Sequence, residues 1–522
     1  MKKQIVLLFC LFLVQLSLAQ TSNSVLSSGD WYQFSVDTTG VFKIDRALLQ
    51  RIGISTNGLN PKKIHIYGNG GQLLPELNSD FRYDDLQENA IYIEGENDGS
   101  FDGSDFILFY AKGPHDWDVN ASANSVKHRQ NIYSDKAYYF ITVNDVDGKR
   151  IQAKTPITTN ATTQITVFDD FIFYEKEQKS LFAAGTQWFS DKDFNILKAY
   201  DIERNVTLAN TSESIAVSIT YTNNGNPSAN AFLDYIEIVG QKQLTFSDFQ
   251  FSFRSLAQAT TSGTVNYQIT NGSAAFQVWE VTNAINPQII TNESTTNEFT
   301  FKDTAGELKE YIILNDTDFY RPETVANSKI KNQNLHALKD LNYIVITNSQ
   351  LSGQAQRLAD YHQNNSNLTT KVILLDEIYN EYSSGSKDIT GIRDFIKHMY
   401  DTNSSAEKKL KYVCFFGDAS YDYKDRLQGN NNIVPVKLST ISFNLASSWV
   451  TDDFFVMMDA NEGKMSSAHT VDIASSRIPV STISEATIVV DKILNYYSKK
   501  TIGDWRNTIT LVADDIDAVG EE

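Results

Sequence analysis

A chain of 522 residues is too long for one hydrophobic core, and at one domain per ~150 residues it divides into three or so. With 41% hydrophobic and 21% charged residues it has the balance of folded domains, which excludes a disordered tail. Its 64 acidic side chains against 45 basic ones give a formal charge of −19, which argues against nucleic acid as a partner and fits an acidic, soluble surface.

In chain order, Lys2 and Lys3, the apolar run from Ile5 to Val14, and the small residues Ser17 and Ala19 predict a secretory signal peptide over residues 1–19, cut before Gln20. The run is shorter than the ~20 residues of a spanning helix, and none comparable follows. Cys10 raises a lipoprotein signal, but bulky Phe9 stands where such a signal needs a small residue. Cys414 is then the one cysteine of the exported chain, so no intramolecular disulfide is expected despite the oxidising compartment.

Residues 20–165 read as a β-rich domain of short alternating strands, such as Tyr32–Val36 and Ile64–Tyr67, punctuated by Gly40, Gly68, Gly70 and Gly71. An acidic run from Glu94 to Asp105 separates the strand-like stretches Ala90–Ile93 and Phe106–Tyr110. It reads as a polar hairpin connection, because its spacing is not that of an EF-hand calcium loop. Residues 166–335 continue in the same manner, with Ile215–Ile219 and Phe232–Ile238 as typical strands, and predict a β-sandwich.

Near residue 340 the period changes. Strand-like Tyr343–Thr347 precedes a helical pattern with Ala355, Leu358, Ala359 and His362 on one face. Then come strand Lys371–Leu375, a helix carrying Ile389, Ile392, Ile396 and Met399, and strand Lys411–Phe416. Strand Val471–Ala474 and a helix with Ala486, Val489, Ile493 and Tyr497 follow, then strand Thr508–Ala513. Residues 340–500 therefore predict an α/β domain with a mostly parallel, helix-covered sheet, and residues 501–522 the start of another.

Ligands bind beyond the carboxyl ends of the strands in such a sheet. Here those ends carry Asp376 and Glu377, Asp418, and Asp514 and Asp515, with Asp422, Asp452 and Asp453 in nearby loops. Asp418, Asp422, Asp452 and Asp453 are candidate hard-oxygen ligands for calcium, the alternative being that these carboxylates cap helices and turns. Cys414, flanked by Val413, Phe415 and Phe416, reads as a buried and unreactive thiol. His65, His115, His128, His336, His362, His398 and His469 are scattered and form no HExxH. GxSxG, P-loop and GxGxxG motifs are absent, so the residues alone reveal no active site.

Motifs in the second half carry a family resemblance. Tyr412–Asp422, containing Gly417-Asp418-Ala419-Ser420-Tyr421-Asp422, resembles the strand and GD(A/G)SYD signature of gingipain-type cysteine peptidases. Val434-Pro435-Val436, Thr451-Asp452-Asp453 and Asp472–Val480 with Arg477 are similar to further family segments in the same order, although Ser475-Ser476 stands where a glycine usually precedes the arginine. Gly29–Tyr32, Thr39–Asp45 and Asp105–Tyr110 resemble the leading domain of type IX secretion sortases within that family.

The resemblance implies a caspase-like fold whose first half is residues 340–500. It also implies a catalytic histidine and cysteine in a second half. That dyad is expected beyond Glu522, the last residue of this sequence, so the chain is expected to be inert alone. The resemblance further implies an outer-membrane or cell-surface enzyme of a Gram-negative bacterium that removes C-terminal sorting domains from secreted cargo and joins the cargo to lipopolysaccharide. Attachment-complex proteins are its expected partners, and calcium the one cofactor considered. The rival reading is a non-catalytic, adhesin-like surface protein with a pseudo-caspase domain.

Overall fold

The computed structural model describes residues 21–175, 204, 216–222, 224–225, 233–439, 448–466 and 468–511. The expected signal peptide and its cleavage site lie outside the described residues. The alternating strands of the N-terminal region pair into two antiparallel sheets, beside the separate hairpin Asp116–Asn120 with Ser125–Arg129. One runs Glu323–Ile330, Trp31–Val36, Ala137–Val143, Ile64–Tyr67, Glu88–Asn89, and the other Gly40–Asp45, Phe106–Ala111, Tyr92–Glu94. Their facing sides bury Phe34, Ile66 and Ile141 against Phe42, Ile44, Ile107 and Phe109, the product of period-two patterning. The acidic run is a hairpin connection, with Glu94 opposite Phe106 in the ladder. Its carboxylates accept from its own backbone, Asp105 from the Asp102 N–H and Asp98 from the Ser100 N–H.

A second β unit packs Phe251–Arg254, Gln277–Glu280, Gln288–Ile290 and Glu310–Leu314 over Thr163–Ile165, Thr264–Ile269 and Phe299–Thr304. Phe253, Tyr267, Phe301 and Tyr311 fill its core, with Tyr267 and Phe301 stacked 4.9 Å apart. Val41, Leu108 and Tyr110 of the first unit meet Trp279, Ile312 and Leu314 of the second in one apolar cluster. The chain then returns, since Glu323–Ile330 pairs with Trp31–Val36 before entering the α/β part. Of the two strands expected in the second unit, one begins at Tyr235, while Ala216–Thr220 joins no ladder and Ile215 lies outside the described residues.

The α/β part has the parallel, helix-covered sheet expected from the sequence and the caspase-like fold that the resemblance implies. Four parallel strands lie in the order Thr370–Leu374, Tyr343–Thr347, Tyr412–Phe416, Ala474–Ile478. Tyr343, Val345, Cys414 and Phe416 point to one face, where helices Ser352–Asn365 and Ile483–Tyr497 contribute Ala355, Leu358, Ala359, Ala486 and Val490. Ile344, Ile346, Val413 and Phe415 point to the other and meet Ile392, Phe395 and Ile396 of helix Ile389–Asp401. Burial on both faces explains why these strands read as continuous apolar runs.

Two sequence expectations are corrected. The fourth strand is Ala474–Ile478 and not Val471–Ala474, because pairing of Ser475 with Val413 and Arg477 with Phe415 sets its register. Asp376 and Glu377 follow the strand as expected and take the helix-capping alternative, in the first turn of helix Leu375–Tyr382, whose N-terminal partial charge favours acidic side chains. The stretch from Thr508 joins no ladder as far as Leu511, and Ile509 and Leu511 stand open to solvent. Asp514, Asp515 and Glu522, the residue beyond which the catalytic dyad is expected, lie outside the described residues.

Candidate functional site

The carboxyl end of the Tyr412–Phe416 strand is where the motif residues gather. Gly417 leaves the strand with its N–H donated to the Ile478 carbonyl (2.9 Å), and the Asp418 N–H reaches the Val480 carbonyl (3.0 Å). The loop that follows doubles back so that Ile433 and Val434 both donate to the Asp418 carbonyl, each at 3.0 Å. This close return leaves no room for a side chain at Gly417. A Cβ there would lie 2.6 Å from Ile433 Cγ2 and 2.8 Å from Val434 Cγ2. Gly417→Ala should therefore cost about 1–3 kcal/mol through overpacking. A shifted urea midpoint checks this, and an unchanged midpoint would show that the loop yields freely.

Within the loop, the side chains satisfy one another. The Asp418 carboxylate accepts from the Ala419 N–H (2.9 Å) and from the Asn431 amide. Ser420 Oγ donates to Asn430 Oδ1 (2.5 Å) and accepts from the Asp422 N–H (3.1 Å). Asp422 Oδ2 accepts from the Leu427 N–H (2.7 Å), while Tyr421 points outward and is 71% exposed. Thr451 Oγ1 accepts from the Asp453 N–H (3.0 Å), opening the single 3-10 turn Asp453–Val456 that buries Phe454 and Phe455.

Arg477 ties these pieces together. Its Nε and Nη2 form a two-point contact with Asp452 (2.8 and 2.6 Å), Nη1 donates to the carbonyls of Gly417 (3.0 Å) and Val434 (2.6 Å), and Nη2 also reaches the Pro435 carbonyl (3.1 Å). The guanidinium lies 5.4 Å from the Phe415 ring centre. One planar fork thus gathers three segments distant in sequence at the sheet end. Gly417, Asp418, Asp452 and Arg477 come together here, whereas Ser420, Tyr421 and Asp422 belong to the loop and Asp453 to the adjoining turn. Among the described residues, no three histidine, cysteine, aspartate or glutamate side chains converge as a metal ion would require.

Cys414 is buried one residue pair away from this knot, facing Tyr343 and Ser476, and burial pushes its thiol up to about 11. Iodoacetamide should leave Cys414 unlabelled in the native protein and label it after unfolding. Rapid native labelling would contradict the burial. Cys414→Ala should cost about 1 kcal/mol or somewhat more through lost packing.

Two features went unseen in the sequence. First, residues 68–86 of the first β unit form a strap across the α/β part. Glu76 pairs with Lys437, Asn78 donates to the Met457 (3.1 Å) and Asp459 (2.8 Å) carbonyls, and Arg82 pairs with the half-buried Asp394 (2.5 Å). Gly463 lets this strap approach, for a Cβ there would collide with the Glu76 carbonyl. Lys437 belongs to the short ladder Lys437–Leu438 with Val450–Thr451, so the strap is linked to the segment that presents Asp452.

Second, Glu381 captures the entry to the α/β part. It accepts from the N–H groups of Leu335 (2.8 Å) and His336 (3.2 Å) and from His336 Nδ1 (2.6 Å), with both side chains fully buried. His336 Nε2 faces the Asp84 carbonyl (2.8 Å) on the strap, so both ring nitrogens meet acceptors, an arrangement that favours the doubly protonated imidazole. Tyr382 stacks on the ring at 4.6 Å, and His398 donates from Nε2 to the His336 carbonyl (3.1 Å). Neither partner stood out in sequence, since they are separated by 45 positions and obey no motif spacing.

Residues 336–522 match the family model of peptidase family C25. The chain thus resembles gingipain-type peptidases in the region where its motifs lie. The crystal structure of dimeric latent PorU from Porphyromonas gingivalis has the same fold, with a TM-score of 0.73 and 21% sequence identity over 96% of this chain. The likeness takes in 52% of the PorU chain, so this chain spans about half the length of that relative. No curated protein sequence matches.

Proposed function

We propose that this chain forms the leading β units and first caspase-like half of a gingipain-type cysteine peptidase that acts as a type IX sortase. The observation that carries the reading is the family match over the same α/β region whose motif residues Gly417, Asp418, Asp452 and Arg477 form one knot at the sheet end. That knot is scaffold. Every donor of its guanidinium is engaged within the protein, and no nucleophile lies in it.

Cys414, with its thiol raised to about 11, is unsuited to act as a nucleophile. In this reading the attacking thiolate and its histidine belong to the second caspase-like half that the resemblance implies. In such an enzyme the thiolate attacks the scissile carbonyl, the imidazole gives its proton to the leaving amine, and the acyl-enzyme passes to water or to an acceptor amine. The substrates in this reading are secreted proteins with C-terminal sorting domains, and the acceptor is lipopolysaccharide at the cell surface. Among the described residues no helix is long and apolar enough to cross a membrane.

The test is to delete the gene from the producing cells and follow secreted cargo by mass spectrometry. Cargo should keep its C-terminal domain and fail to reach surface lipopolysaccharide. Normal cleavage in the deletion strain would favour the non-catalytic, adhesin-like alternative.

A further inference from the structure

A groove of about 620 Å³ opens beside the first β unit, away from the sheet-end knot, and is lined by Lys43, Asp45, Leu48, Arg51, Arg321 and Glu323 among others. Three cations in one groove stand out in a chain with 64 acidic and 45 basic residues. The two acids of the wall are already committed. Asp45 gives one oxygen to the Leu48 N–H (2.9 Å) and the other to Arg321 (2.7 Å), and Glu323 pairs with Lys136 (2.8 Å). Neither Lys43 nor Arg51 has a carboxylate within ion-pair distance among the described residues.

Lys43 is also held in place. Its ammonium sits 3.8 Å from the Phe106 ring centre and 5.9 Å from that of Phe319, so the stem is packed and the charge is presented rather than free to sweep. Burial and then the neighbouring Arg321 lower its pKa, and Asp45 and Asp316 nearby do not offset them. The groove therefore keeps uncompensated positive charge that a bound anion would relieve.

We propose that this groove binds a phosphate monoester carried on an organic molecule, with Lys43 and Arg51 as its ligands and Arg321 as the flanking guanidinium. Asp45 neutralises one of the three cations, and the remaining two match a phosphate monoester, which carries roughly −1.5 to −2 charges at neutral pH, better than a single carboxylate. The groove is also far larger than inorganic phosphate needs, which leaves room for an organic part.

The experiment is calorimetric titration of the intact protein with inorganic phosphate, glucose 6-phosphate, glutarate, and phosphatidylcholine vesicles with or without phosphatidic acid. Saturable binding of glucose 6-phosphate, or of the phosphatidic acid vesicles alone, is expected. The first result would identify a soluble ligand and the second a lipid headgroup. Affinity should fall with rising salt and drop about tenfold or more in each of Lys43→Gln and Arg51→Gln. Arg51 is on the surface, so its variant should fold normally and carry the test by itself. Absence of binding, equal binding by Arg51→Gln, or equally tight binding of glutarate would overturn the proposal. None of these results bears on cargo cleavage, so this inference and the proposed peptidase function can fail separately.

Discussion

Replacing Arg477 with alanine is expected to cost the protein about 3–5 kcal/mol, the range for removing one partner of a buried, hydrogen-bonded ion pair. The side chains of Arg477 and Asp452 are 15% and 17% exposed, so solvent would compensate little of the loss. Without the guanidinium, the Asp452 carboxylate loses both of its contacts, and the carbonyls of Gly417, Val434 and Pro435 lose a donor. Arg477→Lys should recover only a minor part, because one ammonium cannot serve two carboxylate oxygens and three carbonyls spread around a planar fork. The protein has several cores, so one global midpoint is a blunt measure. Hydrogen exchange of the Ile433 and Val434 amides, which close the loop onto Asp418, is the sharper one. Faster exchange confined to this sheet end is expected, and unchanged exchange in Arg477→Ala would mean that the knot does not hold the loops.

The second large effect is expected at Glu381, with a pH signature. Burial pushes the His336 pKa down, but the hydrogen bond and charge of Glu381 outweigh it, so the net shift is upward. A histidine whose folded pKa is raised binds its proton more tightly in the folded state. Its contribution to stability is therefore complete below the unfolded value of about 6.5 and is lost as pH rises through the folded value. Urea unfolding of the native protein should show this loss of stability above about pH 6.5, and His336→Gln should lack that part of the profile. His65 is shifted upward in the same sense beside Glu88, so the difference between native protein and variant is the relevant quantity. Glu381→Gln should cost about 3–5 kcal/mol at pH 6, because it leaves the imidazolium buried without its counter-charge. Identical pH profiles for the native protein and His336→Gln would show that the ring does not titrate in this range.

Much of the fold was legible because local patterning and tertiary burial agree. The strands Ile64–Tyr67 and Tyr343–Thr347 begin and end where their apolar runs predict, and the helix faces of Ala355, Leu358 and Ala359 and of Ile392, Ile396 and Met399 are buried as their spacing requires. Where the reading failed, pairing decided. Val471–Ala474 has the strand-like composition, yet the ladder with Tyr412–Phe416 takes Ala474–Ile478, a stretch whose Ser475, Ser476 and Arg477 carry little propensity of their own. The stretch from Thr508 has the composition without a neighbouring strand among the described residues, and alternation alone does not make a ladder.

The motif residues of the candidate site were readable as a set, but not their work. The resemblance marks Gly417, Asp418, Asp452 and Arg477 one by one, whereas their mutual contacts span up to 60 positions. By itself the sequence determined the type of most elements, the order of β units before the α/β part, and the burial of Cys414, since periodicity and neighbouring apolar residues are local quantities. Only the tertiary structure decided that Arg477 gathers three loops, that a strap from the first β unit holds Lys437 and Asp394, and that Glu381 and His336 form a sealed pair. Those contacts rest on hydrogen-bond geometry between groups remote along the chain, and nothing in residue spacing encodes which donor meets which acceptor once the sheets and helices have packed.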